Sequence, residues 1–271
     1  MGVVIGGVME DIAGLSVLGF LEPQSLRLAS DDYEPRHADS WIHSIVLHTT
    51  RGIPGGSDQR PQRILSGTPP KEAHIPSIIE AWTTDRACAS AHLLVDLDGT
   101  MACVADLLTE TTYHAGQKEV NHHSIGIEMV QGKDAELYVE QIEQTVRLVD
   151  FLTRRFGIQR QFHWPYRNQS IHRIREGGAS VVGVYGHREV SDDRGLGDPG
   201  DEIFHALRGA GYEAFDFDKG EDLRVWEERQ TMLAARLSIN LDTDGVPGTK
   251  TVSALKLAGY SQGLFVPRLG D

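Results

Sequence analysis

Three residues of the sequence, His48, His187 and Asp198, have the types and positions expected of a metal-binding site. His48 ends the apolar, β-branched run WIHSIVLH, His187 ends a second run, ASVVGVYGH, and Asp198 follows eleven residues later. Such runs predict strands, and the strand ends of one sheet can converge. Two imidazoles and a carboxylate suit Zn²⁺, and three protein ligands leave a fourth position for water, as in catalytic zinc sites. The chain has 12 histidines, so a surface or hydrogen-bonded histidine is the alternative at each position, which only geometry resolves.

Glu128 is a candidate general base because it lies in another β-rich run, SIGIEMV, at residues 124–130. A carboxylate among Ile125, Ile127 and Met129 should have a raised pKa, closer to that of a useful base. The alternative is a structural glutamate in an ion pair, since ion pairs also perturb pKa values. The sequence contains no HExxH motif, so a helix-borne metalloprotease site is not encoded.

The elements that must position these residues alternate between strands and helices. Asp98-Gly99 between two apolar runs predicts a hairpin, and the apolar spacing of residues 137–156 predicts a helix closed by Gly157. Residues 51–80 and 159–178 are rich in turn-forming or aperiodic residues and predict long loops, the first bordering the site. This order predicts an α/β fold, with a single central mixed β-sheet flanked by helices and a small C-terminal α-helical module.

The length of 271 residues fits one full domain and a smaller one. We expect an N-terminal arm at residues 1–40, the candidate metal-binding domain at 41–217 and a helical domain at 218–271. The acidic segment EAFDFDKGEDL, at 213–223, is typical of a linker at the second boundary.

Composition excludes several classes of protein. A net charge of -13 argues against nucleic acid as the main ligand, which would need clustered Lys and Arg. The two cysteines, Cys88 and Cys103, do not make a disulfide framework, and we expect free thiols. The apolar N-terminus lacks a basic region and contains Glu10 and Asp11, so no standard secretory signal is expected. No run reaches the ~18 apolar residues of a spanning helix, so membrane insertion is not expected.

Several motifs occur in a characteristic order over residues 41–210. They are the strand ending in His48, SAHLLVDLDGT, YHAG, NHHSIGIEMV, and the pair YGHREV and GDPG. This ordered set resembles the type 2 N-acetylmuramoyl-L-alanine amidase family, which includes peptidoglycan recognition proteins, phage endolysins and bacterial wall-recycling amidases. The resemblance implies zinc-dependent cleavage of the amide bond between N-acetylmuramic acid and L-alanine, with peptidoglycan or muropeptides as partners.

The resemblance also implies roles for single residues. His48, His187 and Asp198 would bind Zn²⁺, and Glu128 would deprotonate the attacking water and pass the proton to the leaving amine. Substrate contacts would come from Tyr113, His114, Asn121 and Arg194, although for His114 a structural role in its loop is equally open.

Two positions depart from the family pattern. Leu196 stands where many relatives have a Lys two residues before the third zinc ligand, so the zinc ion would polarise the carbonyl alone, with Arg194 or His114 as a helper at the oxyanion. Such a donor contributes about 3 to 4 kcal/mol. Ala91 precedes His92 where recognition proteins and phage relatives have a Tyr, which leaves Glu128 as the clear base.

Residues 223–258 resemble the type 1 peptidoglycan-binding domain, a small helical bundle, through the segment DGVPGTKTVSALK. Thr249 is expected to cap its second helix, whose apolar side would be Val252, Leu255 and Leu257. The alternative is a helical hairpin that only packs on the main domain.

Two other functions remain open at this level. One is a non-catalytic protein that recognises muropeptides, which metal content would distinguish. The other is an endopeptidase that cuts within the peptide stem, which product mass would distinguish. With no visible signal, the protein would be made in the cytoplasm and either act there in recycling or reach the wall through phage lysis or injection.

Overall fold

The structure is a computed structural model that describes eleven parts of the chain: residues 1–21, 26–37, 40–50, 62–70, 73–84, 89–164, 182–191, 194, 197–215, 224–245 and 248–259. Cys88, Leu196 and the predicted loop residues 51–61 and 165–178 lie outside the described residues.

A mixed sheet of eight strands forms the centre of the protein and confirms the predicted α/β fold. Its strands run in the spatial order β14, β12, β13, β5, β10, β7, β8, β3. All neighbouring pairs are parallel except β7 with β8. The bounds are β3 (Val17–Gly19), β5 (Ser44–Thr49), β7 (Leu93–Val95), β8 (Met101–Cys103), β10 (Ser124–Met129), β12 (Gln161–His163), β13 (Gly183–Gly186) and β14 (Glu213–Phe215).

Three two-stranded ribbons and seven helices complete the described part of the chain. The ribbons pair β1 (Val3–Ile5) with β2 (Val8–Glu10), β4 (Tyr33–Pro35) with β9 (Glu110–Thr112), and β6 (Arg63–Leu65) with β11 (Glu136–Tyr138). The helices are α1 (Ile75–Thr84), α2 (Lys118–His123), α3 (Val139–Phe156), α4 (His187–Val190), α5 (Glu202–Gly209), α6 (Arg224–Leu237) and α7 (Thr249–Leu257). Among the described residues, no helix is long and apolar enough to cross a membrane.

The two faces of the central sheet are packed differently. On one face, Ile45 and Leu47 of β5 and Ile125 and Ile127 of β10 join the main core, to which α3 and α5 contribute side chains such as Leu148, Leu152 and Phe204. On the other face, Val46 and Tyr185 pack with Val120 of α2 and Val190 of α4 in a smaller cluster. Because side chains alternate along a strand, the residues between the core positions must face this second side.

The predicted hairpin and long helix are confirmed. Strands β7 and β8 pair antiparallel around Asp98-Gly99, where Gly99 has a φ of 82°. Helix α3 ends at Gly157, which adopts the left-handed conformation that favours glycine, with a φ of 66°.

The two predicted loops are wrong in part. Residues 75–84 form α1, whose apolar residues Ile75, Ile78, Ile79 and Trp82 follow helical spacing, with Pro76 tolerated in the first turn. Strands β6 and β12 also lie in the predicted loops. Each has three residues, which is too short for a visible pattern, and each is held by a partner strand distant in sequence.

The N-terminal residues contribute directly to the main core. Val3, Val4 and Ile5 of β1 and Val17 of β3 are buried there. Strand β3 pairs with β8 and forms one edge of the central sheet. The predicted arm therefore packs on the main domain through strands rather than as an irregular segment.

Helices α6 and α7 share an apolar cluster that contains Trp226, Leu233, Val252 and Leu255 and extends to Trp41 before β5. The side chain of Gln230 fixes the turn between them, since its amide nitrogen lies 3.0 Å from both Asp244 Oδ1 and Thr251 Oγ1.

Two predicted details of α7 are wrong. Gly248, not Thr249, is the N-cap residue, and Thr249 is the first residue of the helix. Leu257 is 73% exposed, because it follows the buried Leu255 by two positions and so lies on the opposite side of the helix.

Asp106 holds the β1–β2 turn against the main domain, which gives a test of the fold. Its Oδ1 accepts hydrogen bonds from the backbone N–H groups of Gly6, Leu108 and Thr109 at 2.9 to 3.0 Å, and its Oδ2 accepts one from Gly7 at 2.6 Å. We expect Asp106→Ala to lower the free energy of unfolding by about 1 to 3 kcal/mol, because four backbone N–H groups lose their acceptor in a partly buried place. Urea unfolding followed by circular dichroism measures this.

The control is Asp98→Ala, which removes a single exposed bond to the Thr100 N–H. Equal midpoints for the two variants would contradict the role given to Asp106.

Candidate metal centre and active site

Three neighbouring parallel strands place His187, His48 and Glu128 side by side. In the register of β10 with β5, Glu128 is the partner of His48. In the register of β13 with β5, Gly186 is the partner of Leu47, so His187, the next residue, comes beside His48. All three residues thus lie at the carboxyl ends of their strands. The sequence predicted that His187 is the last residue of the strand, but it is the first residue of α4.

His48, His187 and Asp198 offer ligand atoms that all lie within 4.8 Å of one another, and all three side chains are buried. The Nδ1 atoms of His48 and His187 are 2.9 Å apart, and His187 Nδ1 is 3.1 Å from Asp198 Oδ2. Ligand atoms on a tetrahedral zinc ion are separated by about 3.3 Å, given zinc–ligand distances of about 2.0 to 2.1 Å. The donor types and their spacing therefore fit an ion of this kind.

The backbone around the triad holds Asp198 in place. The N–H of Thr49, at the end of β5, donates to Asp198 Oδ1 at 3.0 Å, and the N–H of Arg188 donates to the Asp198 carbonyl at 2.9 Å. Arg188 is itself buried and pairs with Asp201 Oδ1 at 2.6 Å. Asp198 is thus tied through its side chain to the end of β5, which carries His48, and through its carbonyl to α4, which begins with His187.

Glu128 has the raised pKa expected of a general base, and burial is its largest cause, as expected, but the groups that surround the carboxylate are not the expected ones. Burial raises the pKa of this carboxyl group well above its usual range, the negative charge of Asp198 raises it further, and Arg194 opposes both. The flanking residues Ile125 and Ile127 point to the opposite face of the sheet. The polar site, rather than the apolar neighbours in sequence, surrounds the carboxylate.

The residues predicted to contact substrate occupy different places. Arg194 lies at the triad, with its Nε 3.5 Å from both Asp198 Oδ2 and His187 Nε2. His114 is buried and lies 3.2 Å, Nδ1 to Nε2, from His48. Tyr113 is partly exposed next to it. Asn121 is buried, and its Oδ1 accepts a hydrogen bond from the Ala115 N–H at 2.8 Å, so it supports the YHAG loop.

Sequence reasoning missed Ser124 and Gly126, which form the seat of His114. Ser124 Oγ lies 3.1 Å from His114 Nε2, and a Cβ added to Gly126 would come within 2.6 Å of His114 Cγ. Ser124, Gly126 and Glu128 are alternate residues of β10 and share its site face. The signal was present in SIGIE as two small residues in phase with the glutamate.

Arg36 of the N-terminal arm stabilises the backbone next to this seat. Its Nη2 donates to the carbonyls of Glu110 and Ser124 at 2.8 and 3.2 Å, and its Nη1 donates to the carbonyls of Asn121 and His122 at the end of α2. Burial lowers the pKa of this guanidinium to about 9, so it still carries its charge at neutral pH.

His92, which follows Ala91 in the hairpin, is a structural residue in this arrangement. Its Nδ1 accepts a hydrogen bond from the Gly126 N–H at 3.1 Å, and burial lowers its pKa to about 3. The neutral ring therefore ties β7 to β10 at the level of the His114 seat.

The fold and the site define a class of protein. It is an α/β domain that has, at the carboxyl ends of its central strands, a buried group of side chains that could bind a metal ion and an adjacent carboxylate. The chain belongs to the N-acetylmuramoyl-L-alanine amidase family, whose sequence profile matches residues 38–201. Membership in this family supports hydrolysis of a peptidoglycan amide bond. No curated protein matches the sequence significantly.

Solved structures of amidases and a hydrolase are similar to this chain. The selenomethionine derivative of AmpD is 20% identical over 69% of this chain and 95% of its own, with a TM-score of 0.43. The N-acetylmuramoyl-L-alanine amidase LysC from Clostridium intestinale URNW is 15% identical over 69% and 99%, with a TM-score of 0.39. The Staphylococcus aureus hydrolase AmiA is 13% identical over 87% and 98%, with a TM-score of 0.30.

The contact between Gly126 and His114 predicts that even one added methyl group is harmful. Gly126→Ala should lower the free energy of unfolding by about 1 to 3 kcal/mol, because the His114 ring must move or the strand must shift. Denaturant unfolding measures the loss. Gly67→Ala is the matched control, since an added Cβ there meets nothing within 4 Å. A Gly126→Ala protein as stable as the control would show that the seat is not tightly packed.

Proposed function

We propose that the protein hydrolyses the amide bond between N-acetylmuramic acid and L-alanine in peptidoglycan, as a zinc-dependent enzyme. One observation carries this proposal. Three neighbouring parallel strands place His187, His48 and Glu128 side by side in a row, and Asp198 lies next to the two histidines. A chain that matches the amidase family over residues 38–201 contains this row within the matched range.

His48, His187 and Asp198 would hold the zinc ion. The donor set of two imidazoles and a carboxylate supports this assignment, as do the separations of 2.9 and 3.1 Å between donor atoms. A zinc ion bound there would acidify a water molecule and polarise the amide carbonyl. The three side chains are almost completely buried, which limits their freedom to move away from the ion.

Glu128 would take the proton from the attacking water and return it to the leaving amine. Its raised pKa supports this role, since a carboxyl group with a raised pKa is a stronger base toward the water proton. Partial exposure of the side chain gives the substrate access to it.

Arg194 would replace the missing Lys at the position of Leu196 as the positively charged group near the scissile bond. Its guanidinium is permanently charged and lies against the triad, 3.5 Å from Asp198 Oδ2. Tyr113, the first residue of the YHAG loop, remains a proposed substrate contact because it is partly exposed.

The proposal predicts that purified protein with zinc releases free stem peptides from sacculi, and that Glu128→Gln lowers kcat/KM by about 10² to 10⁴-fold. The amide keeps the size of the side chain but cannot accept the proton. Mass spectrometry of the products and metal analysis of both proteins are the measurements. Glu202→Gln, at an exposed residue of α5, is the control that should keep full activity.

Each alternative gives a different result in this assay. Cleavage within the stem would show an endopeptidase, and binding of muropeptides without turnover or zinc would show a recognition protein. Full activity of Glu128→Gln would contradict the role of this residue.

We further propose that residues 223–258 bind polymeric peptidoglycan. Beyond the sequence resemblance, the support is a set of exposed apolar side chains in this range: Met232, Ile239 and Leu257. Exposed apolar groups are suited to contacts with the apolar parts of a polymer surface.

Replacing Met232, Ile239 and Leu257 together by Ser should weaken co-sedimentation with sacculi by about tenfold, because apolar contact area is lost. Hydrolysis of a small soluble muropeptide should not change. The matched control replaces Val8 and Leu18 by Ser, since these residues are also exposed and apolar but lie on the N-terminal strands. Equal sedimentation of both variants with the unaltered protein would contradict the binding role.

A further inference from the structure

The direction of each hydrogen bond around His114 follows from Ser124. The Ser124 hydroxyl donates to the Val120 carbonyl at 2.6 Å, and a hydroxyl has a single proton. Its oxygen can therefore only accept from His114 Nε2, 3.1 Å away, so this nitrogen carries a proton. A carbonyl cannot donate, which makes Val120 the fixed end of the chain of bonds.

The same reasoning extends to His48. In a neutral imidazole one nitrogen donates and the other accepts, so His114 Nδ1 is an acceptor. His48 Nε2 lies 3.2 Å from it and must donate. The remaining nitrogen of His48, Nδ1, then carries a lone pair and no proton, and it is the atom that lies 2.9 Å from His187 Nδ1 in the triad.

The surroundings of His114 keep the ring in this orientation. Gly126 leaves the space in which the ring lies, with no room for a Cβ. Asn121 fixes Ala115, the residue after His114, by accepting a hydrogen bond from the Ala115 backbone N–H. A ring held on its face and at both nitrogens has one available orientation, so its acceptor atom always points to His48.

We propose that His114 is a positioning residue that selects the tautomer of His48 in which Nδ1 is available to the metal. This inference rests on the proposed zinc site. In it, His114 acts by contacting the ligand His48 and not by contacting the substrate. A partner that accepts the second N–H of a metal-binding histidine orients the ring, and its loss typically lowers metal affinity by about 10 to 100-fold.

Nuclear magnetic resonance of ¹⁵N-histidine-labelled, metal-free full-length protein tests the chain of bonds directly. We expect long-range ¹H–¹⁵N correlations to show a proton on Nε2 of both His48 and His114. In Ser124→Ala, which removes the acceptor without changing the ligands, His114 should populate both tautomers. A proton on Nδ1 of His48 in the unaltered protein would overturn the inference.

Zinc affinity, measured by competition with a chromophoric chelator, tests the consequence. His114→Phe keeps a ring of similar size but has no acceptor, and it should bind zinc about 10 to 100-fold more weakly. His114→Gln keeps an acceptor oxygen and should recover most of the affinity. Equal losses for Phe and Gln, or no loss for Phe, would overturn the inference.

A matched control and the unaltered protein separate the different failures. His74 is also buried, but its Nδ1 pairs with Asp96 Oδ1 at 2.8 Å outside the triad, so His74→Phe should keep the zinc affinity. If the unaltered protein binds no zinc, the proposed function fails, while the tautomer measurement still decides the hydrogen-bond chain because it needs no metal.

Discussion

The parallel pairing of β5 with β10 and β13 determines where the polar groups of the site lie. In β5 and β10 the isoleucines and leucines of the main core occupy alternate positions, and the residues between them must face the other side. A register shift of one residue would turn His48 and Glu128 into the core. Burial of apolar side chains on one face thus fixes the chemistry on the opposite face, and no polar contact is needed to choose the register.

The support of the site comes from small residues and backbone groups. Ser124 and Gly126 leave space beside the ligands, the Thr49 N–H holds Asp198, and the Gly126 N–H holds His92. Backbone groups at the ends of strands have little freedom, because their neighbours are already paired in the sheet. Asp198 and His92 are therefore held by atoms that every residue possesses, which explains why these supports are not visible in the sequence.

Features that follow from a local sequence pattern could be predicted, whereas features that depend on contacts between residues distant in sequence could not. Strand ends indicated His48 and His187, and Asp98-Gly99 indicated its hairpin. By contrast, β6 and β12 have three residues each and exist because of partners elsewhere in the chain. The link between His114 and His48 joins residues 66 positions apart, and only the folded sheet reveals it. The raised pKa of Glu128, whose largest cause is burial, was predictable, but the further contribution of Asp198 was not, since Asp198 approaches the carboxyl group only in the folded protein.

The guanidinium of Arg36 shows that the site depends on more of the chain than the family profile covers. Arg36 lies two residues before the matched range, yet it satisfies four backbone carbonyls beneath the seat of His114. A fragment cut at residue 38 would leave those carbonyls facing an empty space in the interior. A boundary drawn from sequence similarity would therefore separate Arg36 from the carbonyls that it binds. Any transfer of this site to another scaffold has to include the arm.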